Sequence, residues 1–314
     1  MARTVFVHHP DLMHHDTGAG HPECSDRLAA ILHQLAGGPL WDKVVHLQAR
    51  EAHREALLRV HSQPHLDQIA ALDQVDRPVQ ITADTTGSPG THRAALLAAG
   101  APMTAIDAIL AGRADNAFCC IRPPGHHAEF DQIMGFCFFN NVAVAAHYLR
   151  AECGIERVAI IDWDVHHGNG TQHTFESDES VLFFSIHQYP HYPGTGAAGE
   201  RGFGAGQGLT LNIPVSAGST DGDFLHHFEE TLAPALANFQ PEFILLSAGF
   251  DAHRSDPLGQ ILLSEEGYGK LSKQVLNMAS NHCQGRLVSL LEGGYDLAAT
   301  AASVTTHLRE LLAA

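Results

Sequence analysis

The sequence predicts an α/β protein: an open, mostly parallel sheet of about eight strands with helices on both faces. Short β-rich runs alternate along the chain with longer stretches of helical period. Most of those runs are continuously apolar rather than alternating, as strands buried on both faces of a parallel sheet are. Polar motifs then fall just after the apolar runs, and ligands of open α/β sheets bind outside the carboxyl ends of the strands.

In chain order, the pattern gives a strand over residues 4–9, a helix over 25–35 and a strand over 44–49. A long helical stretch over 91–111 leads to a strand over 118–122 and a helix over 142–152. Strands over 158–162, 181–187 and 209–215 precede a helix over 223–238. The last strands, 243–248 and 287–291, each lead into a helix, 264–279 and 300–312. The Gly-rich run 194–208 reads as one long loop. No repeat or Pro/Ser-rich linker divides the chain, so residues 1–314 are expected to form one domain.

Composition narrows the function. Of 314 residues, 45% are hydrophobic and 17% charged, which excludes a disordered chain. The net charge of −17, without a basic block, argues against nucleic acid or an anionic membrane as a partner and suits cationic substrates such as lysine-rich peptides or polyamines. No apolar run approaches a membrane span, and Thr4-Val5-Phe6-Val7 is too short for a signal-peptide core. Six scattered cysteines form no CxxC, so a reducing cytoplasm is expected.

Five strand ends carry the chemistry. Arg122-Pro123-Pro124-Gly125-His126-His127, Asp162-Trp163-Asp164-Val165-His166, Ser185-Ile186-His187, Gly249-Phe250-Asp251 and Glu292-Gly293-Gly294-Tyr295 follow apolar runs. Period-two spacing at a strand end puts Asp162, Asp164 and His166 on one side. Two carboxylates and an imidazole crowded together need a cation, because buried like charges are costly. Alone the tripeptide pattern suits a solvated turn; with Asp251 at another strand end and the paired histidines it reads as a site for zinc or ferrous iron. His126-His127, held on a Pro-Pro-Gly turn, can move protons near a metal-bound water. Asp162 and Asn169 are available to fix their tautomers. Tyr295 can donate to a developing oxyanion, and is equally readable as a buried aromatic.

RPPGHH, GFCFFNN, DWDVHHGNGTQ, SIHQ with PGTG, SAGFDAH with DPLG, and EGGY occur in that order. Together they resemble the histone deacetylase and acetylpolyamine amidohydrolase family, on the arginase-like fold, over effectively the whole chain. Asn169 and the GFDAH stretch are similar to its class II branch. The resemblance implies a zinc-dependent amidohydrolase that removes acetyl groups from the side-chain amine of lysine in peptides or proteins. It implies Asp164, His166 and Asp251 as zinc ligands, His126 paired with Asp162, His127 near Asn169, and Tyr295 as oxyanion donor. Gly135, Phe136 and Tyr192 would line an acyl-lysine channel, with Gly294 beside it, Tyr192 standing where Phe is commoner. A structural potassium would sit on Asp162, Ser185 and Ile186 with the carbonyls of Asp164 and His166. Arg27 would lie by an inner acetate pocket, and Asp84 at the rim would hold the substrate backbone.

Three other readings stand beside this one. An acetylpolyamine amidohydrolase uses the same chemistry; polyamine-selective relatives resemble this loop but carry Glu where Leu258 stands, which favours lysine here. An arginase-type ureohydrolase needs a second metal and further ligands, and Asp251-Ala252-His253 is not followed by the required Asp. An inactive acyl-lysine binding module would not need Tyr295 beside both histidines.

Overall fold

The computed structural model describes residues 2–314. The apolar runs form eight strands: β1 (Thr4–His8), β2 (Val45–Gln48), β3 (Asn116–Cys119), β4 (Val158–Asp162), β5 (Val181–Gln188), β6 (Thr210–Val215), β7 (Phe243–Ala248) and β8 (Leu287–Leu291). They pair in the order β2-β1-β3-β8-β7-β4-β5-β6, every pair parallel. β4, β7 and β8 are buried along their whole length, as their unbroken apolar sequences require. A two-stranded antiparallel ribbon, Val79–Gln80 with Thr86–Gly87, stands apart from the sheet.

Helices cover both faces. Asp26–Ala36, Glu265–Cys283 and Leu297–Ala313 pack together on one. Phe118 and Ser289 turn toward His307 of the last of these helices. Thr91–Leu110 and Asn141–Cys153 pack together and against strands from the other side. By length and composition Thr91–Leu110 is apolar enough to cross a membrane, contrary to the sequence expectation, but it is largely buried as a core helix against β1 and Asn141–Cys153.

Several elements differ from expectation. The third strand lies at Asn116–Cys119 rather than 118–122, because Asn116 is buried and its amide donates to the Leu311 carbonyl at 2.9 Å. The helix expected over 223–238 is three pieces, Asp221–His227, a π-helical turn Phe228–Leu232, and Ala233–Phe239. Pro234, which has no N–H to give, sits at the start of the last piece. Three short α-helices were not foreseen: Arg54–Leu57, Gln63–Ala70, capped by the Ser62 hydroxyl on His65 N–H, and Asn169–Phe175.

Strand order explains where the site must be. β3, β8, β7, β4 and β5 are consecutive in the sheet, and they are the five strands whose carboxyl ends carry the polar motifs. Asp162 lies in register with Ser185 on one side and Ser247 on the other. Motifs separated by up to 170 residues thus share one rim.

Candidate active site

Asp164, His166 and Asp251 offer one donor atom each within 4.8 Å of one another, all three buried. Backbone amides tie back part of each carboxylate. Gly293 N–H donates to Asp164 Oδ2 at 2.8 Å, His166 N–H to Asp164 Oδ1 at 2.9 Å, and Val165 N–H to Asp251 Oδ1 at 2.9 Å. His166 Nδ1 lies 3.1 Å from Asp164 Oδ1 and 3.2 Å from Asp251 Oδ2, yet Asp251 Oδ2 is a buried oxygen with no aligned hydrogen-bond donor. Burial would lower His166, but the two carboxylates push it up to about 10; burial and the Asp164 charge push Asp251 up to about 7. Such a set is balanced by a divalent cation at its centre. The glycine at 293 makes room: a Cβ there would stand 2.0 Å from Asp251 Oδ2. A buried orphan oxygen, a His/carboxylate donor set and a wall cut back to glycine fit a bound metal ion.

The paired histidines lie beside this cluster, their rings 4.0 Å apart. His126 Nδ1 donates to Asp162 Oδ2 at 2.9 Å, and burial is outweighed by the Asp162 and Asp164 charges, so His126 is pushed up to about 10. His127 Nδ1 meets Asn169 Oδ1 at 2.7 Å. An amide oxygen only accepts, so Nδ1 carries the proton and Nε2 keeps its lone pair. Burial and the adjacent positive His126 hold His127 well below the ordinary imidazole range. One histidine is therefore a cation and its neighbour a neutral base.

One buried ion cluster, centred on Glu23, and the buried carboxylate of Glu292 fix these turns. Glu23 takes Arg122 in a bidentate pair, at 2.9 and 2.7 Å, and accepts from Arg27 at 3.1 Å. Arg122 also donates to the carbonyl of His15 at 2.6 Å, anchoring the turn that carries His126 and His127. Arg27 donates to the carbonyls of Glu292 and Gly294, and its guanidinium lies 4.9 Å from the centre of the Tyr295 ring. Arg27 and Gly294 thus stand behind Tyr295, supporting it. Glu292 accepts from Gly125 N–H at 2.7 Å and from the Ser247 hydroxyl at 3.0 Å, joining three strand ends.

A pocket of about 230 Å³ opens above the cluster, with His127, His166 and Tyr295 in its lining. Its walls include Gly135, Phe136, Tyr192, Leu258 and Asp84, all of them expected from the sequence. Gly135 sits at φ 58°, and a Cβ there would stand 2.3 Å from His127 Cδ2, so only glycine fits both the backbone and the space. The Tyr192 ring stands edge-on to His127 with centroids 5.2 Å apart. Asp84 braces this wall: Oδ2 accepts from the Tyr192 hydroxyl at 2.8 Å and Gly135 N–H at 3.2 Å, while Oδ1 accepts from Thr82 and Thr85. Burial would raise its carboxyl, but these bonds outweigh it and hold it below the ordinary range.

Asp162 and Ser185 stand side by side in register, with Ile186 next. His187 donates from Nε2 to the Gly196 carbonyl and so accepts the Ser185 hydroxyl proton on Nδ1.

Sequence reasoning missed His191 and Asp256. His191 is stacked on His166 at 5.1 Å and donates to the Leu258 carbonyl. Asp256 holds Tyr295 N–H at 2.7 Å and Leu258 N–H at 2.9 Å. The DPLG motif contains Asp256, but only the fold reveals that it grips the Tyr295 turn. His253, which opens an arginase-like motif, faces Glu265 at 3.4 Å. Among the described residues the cluster of Asp164, His166 and Asp251 is the one that meets the geometry of a metal site.

A parallel eight-stranded sheet with a carboxylate–imidazole cluster and paired histidines at its carboxyl rim defines an α/β enzyme whose site has the geometry of a metal centre. Comparison with known proteins narrows the class. The histone deacetylase domain family matches residues 21–311. A probable deacetylase of Archaeoglobus fulgidus is 40% identical over 94% of this chain and 82% of its own. Histone deacetylase 15 of Arabidopsis thaliana is 41% identical over 93% of this chain, which spans about half of that protein (53%). A histone deacetylase-like amidohydrolase of Pseudomonas aeruginosa is 40% identical over 88% of this chain and 73% of its own. The crystal structure of the HDA15 HD domain superposes with a TM-score of 0.94 at 39% identity, over 99% of this chain and 88% of that one. The chain belongs to the histone deacetylase family: it is a hydrolase with deacetylase activity.

Proposed function

We propose that the protein is a zinc-dependent deacetylase acting on the acetylated side-chain amine of lysine in peptides or proteins and releasing acetate. The observation that carries this reading is the Asp164–His166–Asp251 cluster, set at the floor of a narrow aromatic pocket beside one cationic and one neutral histidine. Ferrous iron suits the same donors. A divalent ion held there supplies a Lewis acid for the acetamide carbonyl and acidifies a bound water.

The chain's own groups do the rest. Phe136 and Tyr192 flank the apolar stem of the acyl-lysine, and its carbonyl sits beside His166 and Tyr295, which share the same pocket lining. His127, with a free Nε2 lone pair, takes the proton of the attacking water. Tyr295 donates its hydroxyl to the oxyanion that forms on the carbonyl. His127, now protonated, returns the proton to the leaving amine, and the His126 imidazolium, held by Asp162, supplies a fixed positive charge beside it. The turn held by Arg27 and Asp256 keeps Tyr295 in place.

Leu258 at the pocket mouth favours lysine over polyamine. A carboxylate there would pair with the second ammonium of an acetylated polyamine; leucine offers an apolar contact to a peptide instead. A structural potassium at Asp162, Ser185 and Ile186, with the carbonyls of Asp164 and His166, is part of the same reading, supported by the register of those strands. The six free cysteines, four of them buried, fit a reducing compartment, and we place the protein in the cytoplasm.

The test is a panel of acetyl-lysine peptides, N-acetylputrescine and N-acetylspermidine, run with metal analysis on wild type and Asp251→Ala. The expected result is higher kcat/KM for the peptides, and joint loss of metal and activity in a folded variant. Higher kcat/KM for the polyamines makes the protein an acetylpolyamine amidohydrolase. Full activity in a metal-free sample ends the metal reading.

A further inference from the structure

His127 works as a base only if its Nδ1 carries the proton, and that depends on which end of the Asn169 amide faces it. An asparagine side chain presents oxygen or nitrogen after a simple flip, and the two ends have nearly the same shape. What holds the amide is therefore part of the catalytic arrangement. Asn169 Nδ2 donates to the His127 carbonyl at 3.2 Å and to Glu129 Oε1. Glu129, two residues beyond His127, is largely shielded, its side chain 17% exposed. Its carboxylate is in turn gripped by His173 Nδ1, at 2.8 Å to Oε1 and 3.0 Å to Oε2.

Local structure makes this inevitable. Asn169 and His173 are four residues apart on the helix Asn169–Phe175, so they share one face, and that face meets Glu129. Nearby, His61 donates to the Glu129 backbone carbonyl at 2.8 Å and Ser62 N–H to that of Phe130, pinning the loop that presents the carboxylate. A flipped Asn169 would turn its oxygen toward a carboxylate and a carbonyl at once.

We infer that Glu129, held by His173, is a positioning residue that locks the Asn169 amide and thereby keeps the His127 tautomer productive. This rests on His127 as the proton-transfer group. Glu129 touches no reacting atom; it acts through Asn169. The arrangement is specific to an amide at 169. With aspartate there, both oxygens accept, no flip exists, and Glu129 becomes a repulsive neighbour.

That asymmetry supplies the experiment, a double-mutant cycle on the metal-loaded enzyme with acetyl-lysine peptide. Glu129→Leu is expected to lower kcat about tenfold with KM little changed, a fraction of the roughly 10²–10⁴-fold worth of a general base. Glu129→Gln keeps an oxygen at the Oε1 position and is expected to stay within a few-fold of wild type. In an Asn169→Asp background, Glu129→Leu is expected to leave kcat unchanged or raise it. Nitrogen-15 NMR of the His127 ring gives a second readout, with the Nδ1–H form dominant in wild type and Glu129→Gln and mixed tautomers in Glu129→Leu. An equal loss from Glu129→Leu in both backgrounds, or a Glu129→Leu single variant that matches wild type in kcat and tautomer, overturns the inference. His127→Ala serves as the control: if it retains full activity, the proposed base has failed rather than its support.

Discussion

His126 and His127 are neighbours on one turn, with ring centroids 4.0 Å apart, but one faces a carboxylate and the other an amide. Both are buried, and burial alone disfavours the charged form of each. Asp162, with Asp164 beyond it, outweighs that cost and makes His126 a lasting cation. Asn169 returns no charge, and the His126 cation next door adds to the cost of protonating His127. The partner on Nδ1, not the histidine, decides the role. One imidazole becomes a fixed electrostatic element and the other a base able to gain and lose a proton.

The most direct way to break this comparison is to remove each ring. His127→Ala is expected to cost roughly 10²–10⁴-fold in single-turnover rate, the worth of a general acid–base group. His126→Ala is expected to cost less, since its charge acts from a distance. The reverse ranking would mean that the assignments are exchanged. Tyr295→Phe comes next: loss of one oxyanion donor is worth about 10²–10³-fold. Metal content should be unchanged, because Tyr295 is not one of the clustered donors. A variant within a few-fold of wild type would leave Tyr295 as packing alone.

The comparison also shows which parts of the molecule were legible in the sequence. Val158–Asp162, Phe243–Ala248 and Leu287–Leu291 could be read to the residue, because each is an unbroken apolar run that ends in a polar motif. Asp164, His166, Asp251, His126 and His127 were legible for the same reason: strand ends carry them. Strand order was not, since nothing local in β8 announces that it lies between β3 and β7. Asn116 hid the start of β3 because a buried amide looks like a loop residue until its partner Leu311 is known. Glu129, His191 and Asp256 escaped because their roles depend on partners brought near by the fold: Asn169 and His173, His166, and Tyr295 respectively. Gln63–Ala70 and Asn169–Phe175 are short helices without a long apolar stripe, and the first is set by its cap.

Converting one dyad into the other sharpens the contrast. Asn169→Asp puts a carboxylate on His127 Nδ1, as Asp162 does for His126. An added negative charge favours the imidazolium, so the His127 pKa should rise. The base must be neutral to act, and a higher pKa withdraws that form at low pH. The acid limb of the kcat/KM profile is therefore expected to move to higher pH. An unmoved limb would show that this limb reports another group.

A third buried histidine extends the series, with the smallest expected effect and on stability rather than rate. His307 is fully buried in the helix Leu297–Ala313, away from the pocket, and has only hydroxyl partners. Ser272 gives its proton to the Tyr268 carbonyl at 2.6 Å and so accepts from His307 Nδ1 at 2.7 Å. Ser289 then donates to Nε2 at 2.9 Å, so the neutral ring is satisfied at both nitrogens. Burial, with no carboxylate to oppose it, lowers His307 to about 3. Its folded pKa lies below the unfolded value near 6.5, so between those values the unfolded chain binds the extra proton. The stabilising contribution is complete above about pH 6.5 and is lost as pH falls toward 3. By pH 5.5 the loss is about 1 kcal/mol, from 1.36 kcal/mol per pH unit below the unfolded pKa. His307→Gln has no such proton to take up, while the other histidines titrate alike in both proteins. The wild-type advantage in Tm over His307→Gln should therefore shrink between pH 7 and 5.5. A difference that stays flat across that range would mean that His307 titrates equally in folded and unfolded chains, and that neutral partners do not keep a buried imidazole uncharged here.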